Sequence, residues 1–244
     1  MNDVLKTLNE HRSIRNFNDE EINQEDLDAI IDATLRAPTA GNMMMYSLLT
    51  IKNKETLEFL SETCDNQSFI KTADTAIIFL ADMSKWAKYF KLHSIDYKSH
   101  LSDFILALND TLIAAQNSVI AAESLGIGTC YIGDIMENYE KHQALLNLPD
   151  YVFPCTMVVL GNYDKTPKKR NRFDKRFVVF KEKYQSLKDD EIFEMFKNTE
   201  NQFKKSHPDK NFAKAFYNRK INSDFFKEMN RSIKKALENW DNCI

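Results

Sequence analysis

Two groups of basic residues stand out in this chain by their side-chain chemistry. The first is the segment 11–15 (HRSIR), and the second is the run 168–172 (KKRNR). Arginine presents a planar fork of donors that matches a phosphate or a carbonyl edge, and serine adds a hydroxyl group. Each group alone is more typical of a solvated basic turn or loop than of a binding site. Together they predict an anion site, because several converging cations suit a phosphate dianion.

Three further segments carry groups that a flat heterocyclic ligand needs. The turn 38–42 (PTAGN) presents small polar residues and backbone groups between a helix and a strand. Gln67 offers an amide to a heterocycle edge, and Gly133, at the end of the segment 126–133, allows a ring to approach the backbone. An ordinary connection and a surface glutamine explain these segments equally well when each is taken alone.

Several common active-site motifs are missing from the sequence. It contains no GxxxxGK[ST] phosphate loop, no GxSxG motif and no HExxH motif. Gly126, Gly128 and Gly133 have the wrong spacing for a dinucleotide fingerprint, and they follow a helix instead of opening one. The whole chain has 5 glycines, too few for a glycine-rich phosphate-binding loop. Side chains must therefore make most of the contacts to any bound phosphate.

The composition is that of a soluble globular protein with a substantial core. The 244 residues are 43% hydrophobic and 28% charged, and a net charge of −3 argues against a nucleic-acid partner. The N-terminus lacks an apolar signal core. The most apolar stretch, 104–125, contains Asp110, Asn117 and Glu123, so it predicts a buried helix and no membrane span. We expect a cytoplasmic protein.

The cysteines do not indicate a metal site. Cys64, Cys130, Cys155 and Cys243 form no CxxC pair, and none has a histidine at zinc-ligand spacing. Reduced thiols are therefore expected, in keeping with a cytoplasmic location.

Hydrophobic periodicity predicts the elements that position these segments. Helices are expected over 4–10, from an N-cap at Asn23 to Pro38, over 56–64, 103–125 and 139–146, and from residue 188 onward. Strands are expected at 46–51, 75–81, 128–132 and 155–160, with an edge strand at 177–180. Few strands among many helices predict an α+β fold, with a domain over 1–187 and a C-terminal helical extension over 188–244.

In this order, the segments resemble those of the nitroreductase family, in particular its NADPH-linked flavin reductases and oxygen-insensitive nitroreductases. The similar segments are HRSIRNF, RAPTAGNMMMYS, NQSFI, AAQNSVIAAESLGIGTCYIGD and the basic run after LGN, and they span about residues 3–185. The resemblance implies a central mixed, mostly antiparallel sheet flanked by helices. It also implies an intertwined homodimer with FMN at the subunit interface, where the helix 103–125 would lie.

The resemblance implies cofactor-binding roles for individual residues. His11, Arg12 and Ser13 match binders of the FMN phosphate and ribityl chain, and Arg15 matches the residue at the pyrimidine edge. Gln67 matches the amide that meets the ring or the ribityl chain.

The remaining binding roles fall on the turn and on the basic run. Thr39, Gly41 and Asn42 match the turn that contacts the flavin of the partner chain. Arg170 and Arg172 match the pair of basic residues that complete the phosphate site.

The end of the strand 128–132 matches the segment under the flavin ring, with one departure. Tyr131, Ile132 and Gly133 match that segment, and the Gly133 N–H would lie near the reactive flavin nitrogen. The branch often has a second glycine where this chain has Asp134, so a carboxylate there either alters acceptor preference or points outward. A second departure is the methionine run 43–45, where a glutamine is common.

The implied reaction is a two-electron ping-pong hydride transfer from NADPH or NADH. Nitroaromatics, quinones, free flavin or azo compounds would be the acceptors, and no side chain is identified as catalytic. In relatives, C-terminal arginines help to select the NADPH phosphate. The corresponding candidates here are Lys204, Lys205, Lys210, Lys214 and Arg219.

Two alternative functions fit the same residues. One is a flavin reductase that supplies free reduced FMN to a partner enzyme. The other is a flavin-binding or helical interaction protein without turnover, for which the phenylalanine-rich C-terminal region would be a partner surface. Packing of those phenylalanines against the body or a second subunit explains them as well.

Overall fold

The fold consists of one antiparallel sheet flanked by helices, as described by a computed structural model for residues 1–241. The strands are β1 (Tyr46–Ile51), β2 (Thr75–Asp82), β3 (Gly128–Ile132) and β4 (Val152–Gly161). The helices are α1 (Asp3–Glu10), α2 (Gln24–Leu35), α3 (Lys54–Thr63), α4 (Ser84–Leu92), α5 (Leu101–Ser124), α6 (Tyr139–Leu146), α7 (Asp189–Ser206), α8 (Phe212–Lys220) and α9 (Asp224–Asp241).

The sheet has the strand order β1-β2-β4-β3, and all three neighbouring pairs are antiparallel. The central strands β2 and β4 are buried along their whole length, which explains their nearly continuous apolar sequences. A parallel contact joins Ser13 to Thr129 as an isolated bridge beside β3. The predicted α+β class is therefore confirmed, and the bridge places the segment 11–15 against the sheet.

Alternating residues of β2 and β4 build a core on each face of the sheet. On one face, Ile78 and Met157 join a cluster that includes Leu60 of α3. On the other face, Ile77 and Phe79 join the cluster that includes residues of α5. Burial on both faces fixes the strand register. A slip by one residue would turn the side chains that pack on one face of the sheet toward the other face.

Helix α5 lies across one face of the sheet, and its C-cap is Leu125; Gly126, expected as the C-cap, follows directly with a φ of +80°. Within residues 1–241, α5 is long and apolar enough to cross a membrane by length and composition alone. The core helix of a globular protein meets the same criterion, and α5 packs on α2 and β2. Its outer side leaves Ile105, Leu112 and Ile113 exposed.

The chain divides into two compact units, one formed by residues 1–168 with the chain from residue 228, and the other by residues 169–227. In the first unit, Trp240 of α9 meets the ring of Phe104 edge-on, with a centroid distance of 4.9 Å. In the second unit, Phe173 contacts Phe196 at 5.2 Å. The domain boundary at residue 187 remains a prediction.

Three differences separate the expected elements from the observed ones. The edge strand expected at 177–180 is wrong, because Asp174 caps a 3-10 turn (Lys175–Phe177), and the Lys175 carbonyl accepts from Val178 and Val179. Helix α4 was not expected from the sequence. The helix expected at 56–64 begins at Lys54 instead, because the Asn53 side chain accepts a hydrogen bond from the Thr56 N–H.

The described cysteines are buried. Cys64, Cys130 and Cys155 are free thiols in the core, and Cys243 lies outside the described residues. Burial raises the pKa of the Cys155 thiol to about 12, so this group is an inert thiol at neutral pH.

Candidate functional site

The segment 11–15 follows α1 and runs alongside β3. The Ile14 N–H donates to the Thr129 carbonyl at 2.8 Å, and the Ile14 side chain is buried. A Cβ atom at Gly128 would lie 2.9 Å from Ile14 and 2.7 Å from Tyr163. Glycine at position 128 therefore allows this close approach, which holds the segment against the strand.

The first residue of the segment, His11, is held by an acidic partner from α5. Its Nδ1 atom lies 2.6 Å from a Glu123 carboxylate oxygen, and the same oxygen accepts from the Thr129 hydroxyl at 2.9 Å. A carboxylate only accepts, so Nδ1 carries the hydrogen in this contact. The imidazole plane is thereby fixed, and sequence reasoning did not identify Glu123 as its partner.

Arg12 is oriented mainly by its neighbour Glu10. Its guanidinium donates to the Glu10 carbonyl at 2.8 Å and to the Glu10 carboxylate at 2.9 Å. The Nε atom is buried and has no hydrogen-bond partner among the described residues. Arg12 and Glu10 line a cavity of about 130 Å³ with Glu123 and Tyr163. A positively charged side chain with an unpaired N–H beside a cavity is typical of an anion-binding site.

Arg15 and Gln67 each contact a residue close to the other in the sequence or in the fold of β3: Arg15 contacts Phe69, and Gln67 contacts Asp134. Arg15 is exposed and lies over the Phe69 ring, 5.7 Å from its centroid. The Gln67 Nε2 atom donates to the Cys64 carbonyl at 3.0 Å and to the Asp134 carboxylate at 2.7 Å. Arg15 thus contacts the residue two positions after Gln67, and the role of both side chains at a ring edge remains a prediction.

The strand β3 ends in the segment expected under the flavin ring. Ile132 is part of the core, whereas Tyr131 is half-buried and its hydroxyl donates to Gln116 at 3.3 Å. Burial raises the pKa of Tyr131, so its phenol is neutral at pH 7. Gly133 is half-buried, and a Cβ atom there would meet only Met136, at 4.0 Å. The backbone at Gly133 is therefore open to a flat ligand.

Two carboxyl groups lie directly after Gly133. Asp134 is half-buried, and Glu137 is buried with its Oε1 atom unpaired among the described residues. Burial, followed by the charges of Asp134 and Asp65, raises the pKa of Glu137 to about 8. Asp134 was recognised from the sequence as a departure from the family pattern. Glu137 was not, because nothing in the sequence distinguishes it from a surface glutamate.

The turn 39–45 is built around a buried carboxylate of α5. Asp110 accepts from the Thr39 hydroxyl, from the Ala40 N–H at 2.9 Å and from the Met45 N–H at 3.3 Å. Gly41 and Asn42 have φ values of +56° and +57°, and both are exposed. Among the described contacts, none joins this turn to the segment 11–15 of the same chain.

The remaining predicted residues, Arg170 and Arg172, belong to the second unit. Both are exposed, in a stretch without regular secondary structure after β4. Their role in a phosphate site remains a prediction.

The first unit thus has features that suit FMN. The unpaired Nε of Arg12 is a donor for an anion, and the open backbone at Gly133 leaves room for a flat ring. Arg15 and Gln67 offer donors to a heterocycle edge nearby. The residues present therefore fit a flavin nucleotide.

Comparison with known proteins identifies the family. The family model described as "Nitroreductase family" matches residues 8–162, which is more than half of the chain. The chain belongs to the nitroreductase family. The match contains the segment 11–15, the turn 39–45, Gln67 and the end of β3.

Curated relatives with similar sequences include two FMN reductases. "FMN reductase [NAD(P)H]" of Bacillus subtilis (strain 168) is 32% identical over 196 residues, covering 79% of this chain and 78% of the relative. "FMN reductase (NADPH)" of the same organism is 30% identical over 247 residues, covering 100% of this chain and 90% of the relative.

Solved nitroreductase-family structures share the fold along nearly the whole chain. NfrA2 of Bacillus megaterium has a TM-score of 0.88 at 28% identity, covering 97% of this chain and 98% of the other. The hypothetical oxidoreductase YcnD of Bacillus subtilis has a TM-score of 0.85 at 30% identity, with the same coverage. The nitroreductase-like fold expected from the sequence is confirmed.

Proposed function

We propose that the protein is an FMN-dependent oxidoreductase that takes electrons from NADPH or NADH and reduces nitroaromatics, quinones or related small molecules. The observation that carries this proposal is the family match over residues 8–162, with the segment 11–15 held against β3. Similarity to two FMN reductases that use NAD(P)H supports the choice of cofactor and donor. Buried free thiols suit a cytoplasmic enzyme.

FMN, when bound, supplies the two-electron redox chemistry. His11, Arg12 and Ser13 would hold its phosphate and ribityl chain. The chain has too few glycines to form a loop of backbone N–H groups around the phosphate. Charged side chains and their hydrogen-bond donors would therefore bind it.

At the ring end, Arg15 and Gln67 would bind the polar edge of the flavin. The positive charge of Arg15 would stabilise negative charge on the bound ring. Tyr131, Ile132 and Gly133 would lie under the ring. The nicotinamide donor and the electron acceptor would use the same open face in turn, which gives ping-pong kinetics.

We further propose that the working unit is a homodimer. Helix α5 exposes a row of large apolar side chains at helical spacing, with Leu101 60%, Ile105 47% and Leu112 44% exposed. A row of this kind on a soluble protein is typical of an interface. A second copy would cover it and would bring Thr39, Gly41 and Asn42 to the flavin of the other chain.

Steady-state assays test the choice of acceptor. Turnover is measured with a nitroaromatic, with a quinone and with free FMN, each with NADPH and with NADH as donor. The proposal predicts turnover of the nitroaromatic or the quinone with one of the two donors. A large preference for free FMN would replace this function with that of a flavin reductase, the activity named for the Bacillus subtilis relatives.

A further inference from the structure

A carboxyl pair lies where β3 ends and the expected flavin face begins. Asp134 and Glu137 span a 3-10 turn (Gly133–Met136), in which the Glu137 N–H donates to the Asp134 carbonyl at 3.0 Å. The Asp134 carboxyl group also contributes to the raised pKa of Glu137, so the two side chains interact. The Asp134 carboxylate accepts from Gln67 at 2.7 Å, so the pair is connected to an expected flavin contact.

Glu137 lies in surroundings that disfavour a negative charge. Its side chain is buried, with the residue 4% exposed, and its Oε1 atom has no hydrogen-bond partner among the described residues. The charged groups that act on it are all acidic: Asp134, Asp65 after α3 and Glu228 of α9. Burial and these charges raise the pKa of Glu137, so its carboxyl group carries a proton at neutral pH.

The other titratable groups packed around Glu137 do not supply a positive charge. Burial lowers the pKa of His142 on α6, whose ring is hydrogen-bonded to the Ile135 carbonyl and the Thr63 hydroxyl. Burial, Asp134 and Glu137 raise the pKa of the Cys64 thiol. With a neutral imidazole and a neutral thiol beside it, an ionised Glu137 would find no cation among these groups, so the protonated form is favoured.

We propose that Glu137 stores a proton and passes it through Asp134 to the electron acceptor. This inference rests on the proposed function. Glu137 is shielded from water, whereas Asp134 is half-buried and next to the open backbone of Gly133. In this proposal Asp134, the more exposed of the two, is the group next to the acceptor, and Glu137 acts through it as a positioning residue.

The reaction needs such a proton because a hydride carries only one of the two hydrogens that the product gains. For a quinone, NAD(P)H, one proton and the quinone give NAD(P)+ and the hydroquinone. The proton moves from the Glu137 carboxyl to the Asp134 carboxylate, and the Asp134 O–H bond breaks as the product O–H bond forms. Solvent water then returns a proton to Glu137 by way of the half-buried Asp134, and both carboxyl groups regain their starting states.

The test uses Glu137→Gln, which keeps the shape of the side chain and removes the transferable proton. Glu62→Gln, at an exposed position of α3, is the matched control. The infrared C=O band of protonated carboxyl groups is followed against pH in cofactor-free protein. We expect a band in the wild type and in Glu62→Gln that disappears as pH rises through about 8. We expect Glu137→Gln to lack it.

The second measurement separates the two half-reactions of the FMN-loaded enzyme by stopped flow. We expect Glu137→Gln to slow electron transfer to a quinone by about 10-fold or more, the scale of acid–base assistance, while the step with NAD(P)H changes by less than about 2-fold. The solvent deuterium isotope effect on the quinone step should rise in the variant. Asp134→Asn should slow the same step but keep the infrared band of Glu137.

The inference is overturned if the titrating band is absent from the wild type or persists in Glu137→Gln. It is also overturned if the quinone step keeps its rate, or if both half-reactions slow equally, as expected for a purely structural role. Should Glu137→Gln fail to fold, Asp134→Asn decides by the same rates. A wild type that neither binds FMN nor oxidises NAD(P)H contradicts the proposed function instead, before any variant is compared.

Discussion

Asp110 of helix α5 accepts a hydrogen bond from the backbone N–H of Ala40 at 2.9 Å, and this contact ties the apolar helix to the turn 39–45. The same carboxylate holds the Thr39 hydroxyl and the Met45 N–H. In turn, the Met44 N–H donates to the Thr39 hydroxyl oxygen at 2.8 Å. One buried side chain thus fixes a turn that contains left-handed backbone conformations.

Replacement of Asp110 should release this turn. We expect Asp110→Ala to lower the free energy of unfolding by about 2–3 kcal/mol, because it leaves buried backbone donors without an acceptor. Urea unfolding of the apoprotein measures the loss. The control is Asp32→Ala, at an exposed position of α2, for which a change within about 0.5 kcal/mol is expected. Equal losses in the two variants would show that Asp110 does not stabilise the turn.

Removal of the Arg12 guanidinium should weaken cofactor binding. We expect Arg12→Ala to reduce the free energy of FMN binding by about 1.5–3 kcal/mol, the usual size for a hydrogen bond to a charged group. Quenching of FMN fluorescence on titration with apoprotein gives the affinity. Lys88→Ala, which removes a cation from an exposed position of α4, is the control. Unchanged affinity in Arg12→Ala would mean that the phosphate is bound elsewhere.

Glu137 should make the stability of the protein depend on pH. Its pKa in the folded state, about 8, lies above the ordinary value of 4.5, so the folded state binds more protons than the unfolded state between these values. The free energy of unfolding therefore falls as pH rises through this window. Thermal unfolding of the apoprotein at several pH values should show this slope in the wild type and a smaller slope in Glu137→Gln. Parallel profiles would contradict the assignment.

Arg231 should contribute stability that is lost in acid. Its guanidinium donates to both Glu140 oxygens, at 2.8 and 2.7 Å, and hydrogen bonding to Arg231 lowers the pKa of Glu140 to about 2. Because the side chains are half-exposed, we expect Arg231→Ala to cost about 0.5–1 kcal/mol at pH 7.

The acid dependence follows from the sign of this shift. The contribution is fully present above the ordinary pKa of 4.5 and is lost as pH falls toward 2, since protonated Glu140 no longer pairs with Arg231. Chemical unfolding at pH 7 and pH 3 measures both differences. Lys235→Ala, which breaks the exposed pair with Glu238, is the control. A difference that is the same at both pH values would rule out this ion pair as its source.

The sequence predicts the elements of this fold well where the local signals are strong. The strand Tyr46–Ile51, the strand Gly128–Ile132 and the helix Tyr139–Leu146 have the bounds that the pattern indicates. The edge strand at 177–180 fails because Asp174 and the Lys175 carbonyl organise turn hydrogen bonds, which outweigh the β propensity of Val178 and Val179.

The candidate site is predictable only in part, because its contacts are distant in sequence. The segment 11–15 and Gln67 are recognisable from residue types and order. Glu123, which fixes His11, and Asp110, which fixes the turn, are far from their partners along the chain. The proton on Glu137 depends on burial among other acids, which only the three-dimensional packing provides.

The measurement that tests the central claim most directly is the visible absorption spectrum of the purified protein, before and after anaerobic addition of NADPH or NADH. The account predicts a yellow protein, or an apoprotein that becomes yellow with stoichiometric FMN, whose flavin band is bleached by one of the two donors and returns on addition of a quinone or a nitroaromatic. A colourless protein that takes up no added FMN, or a yellow protein that neither donor bleaches, would contradict the account.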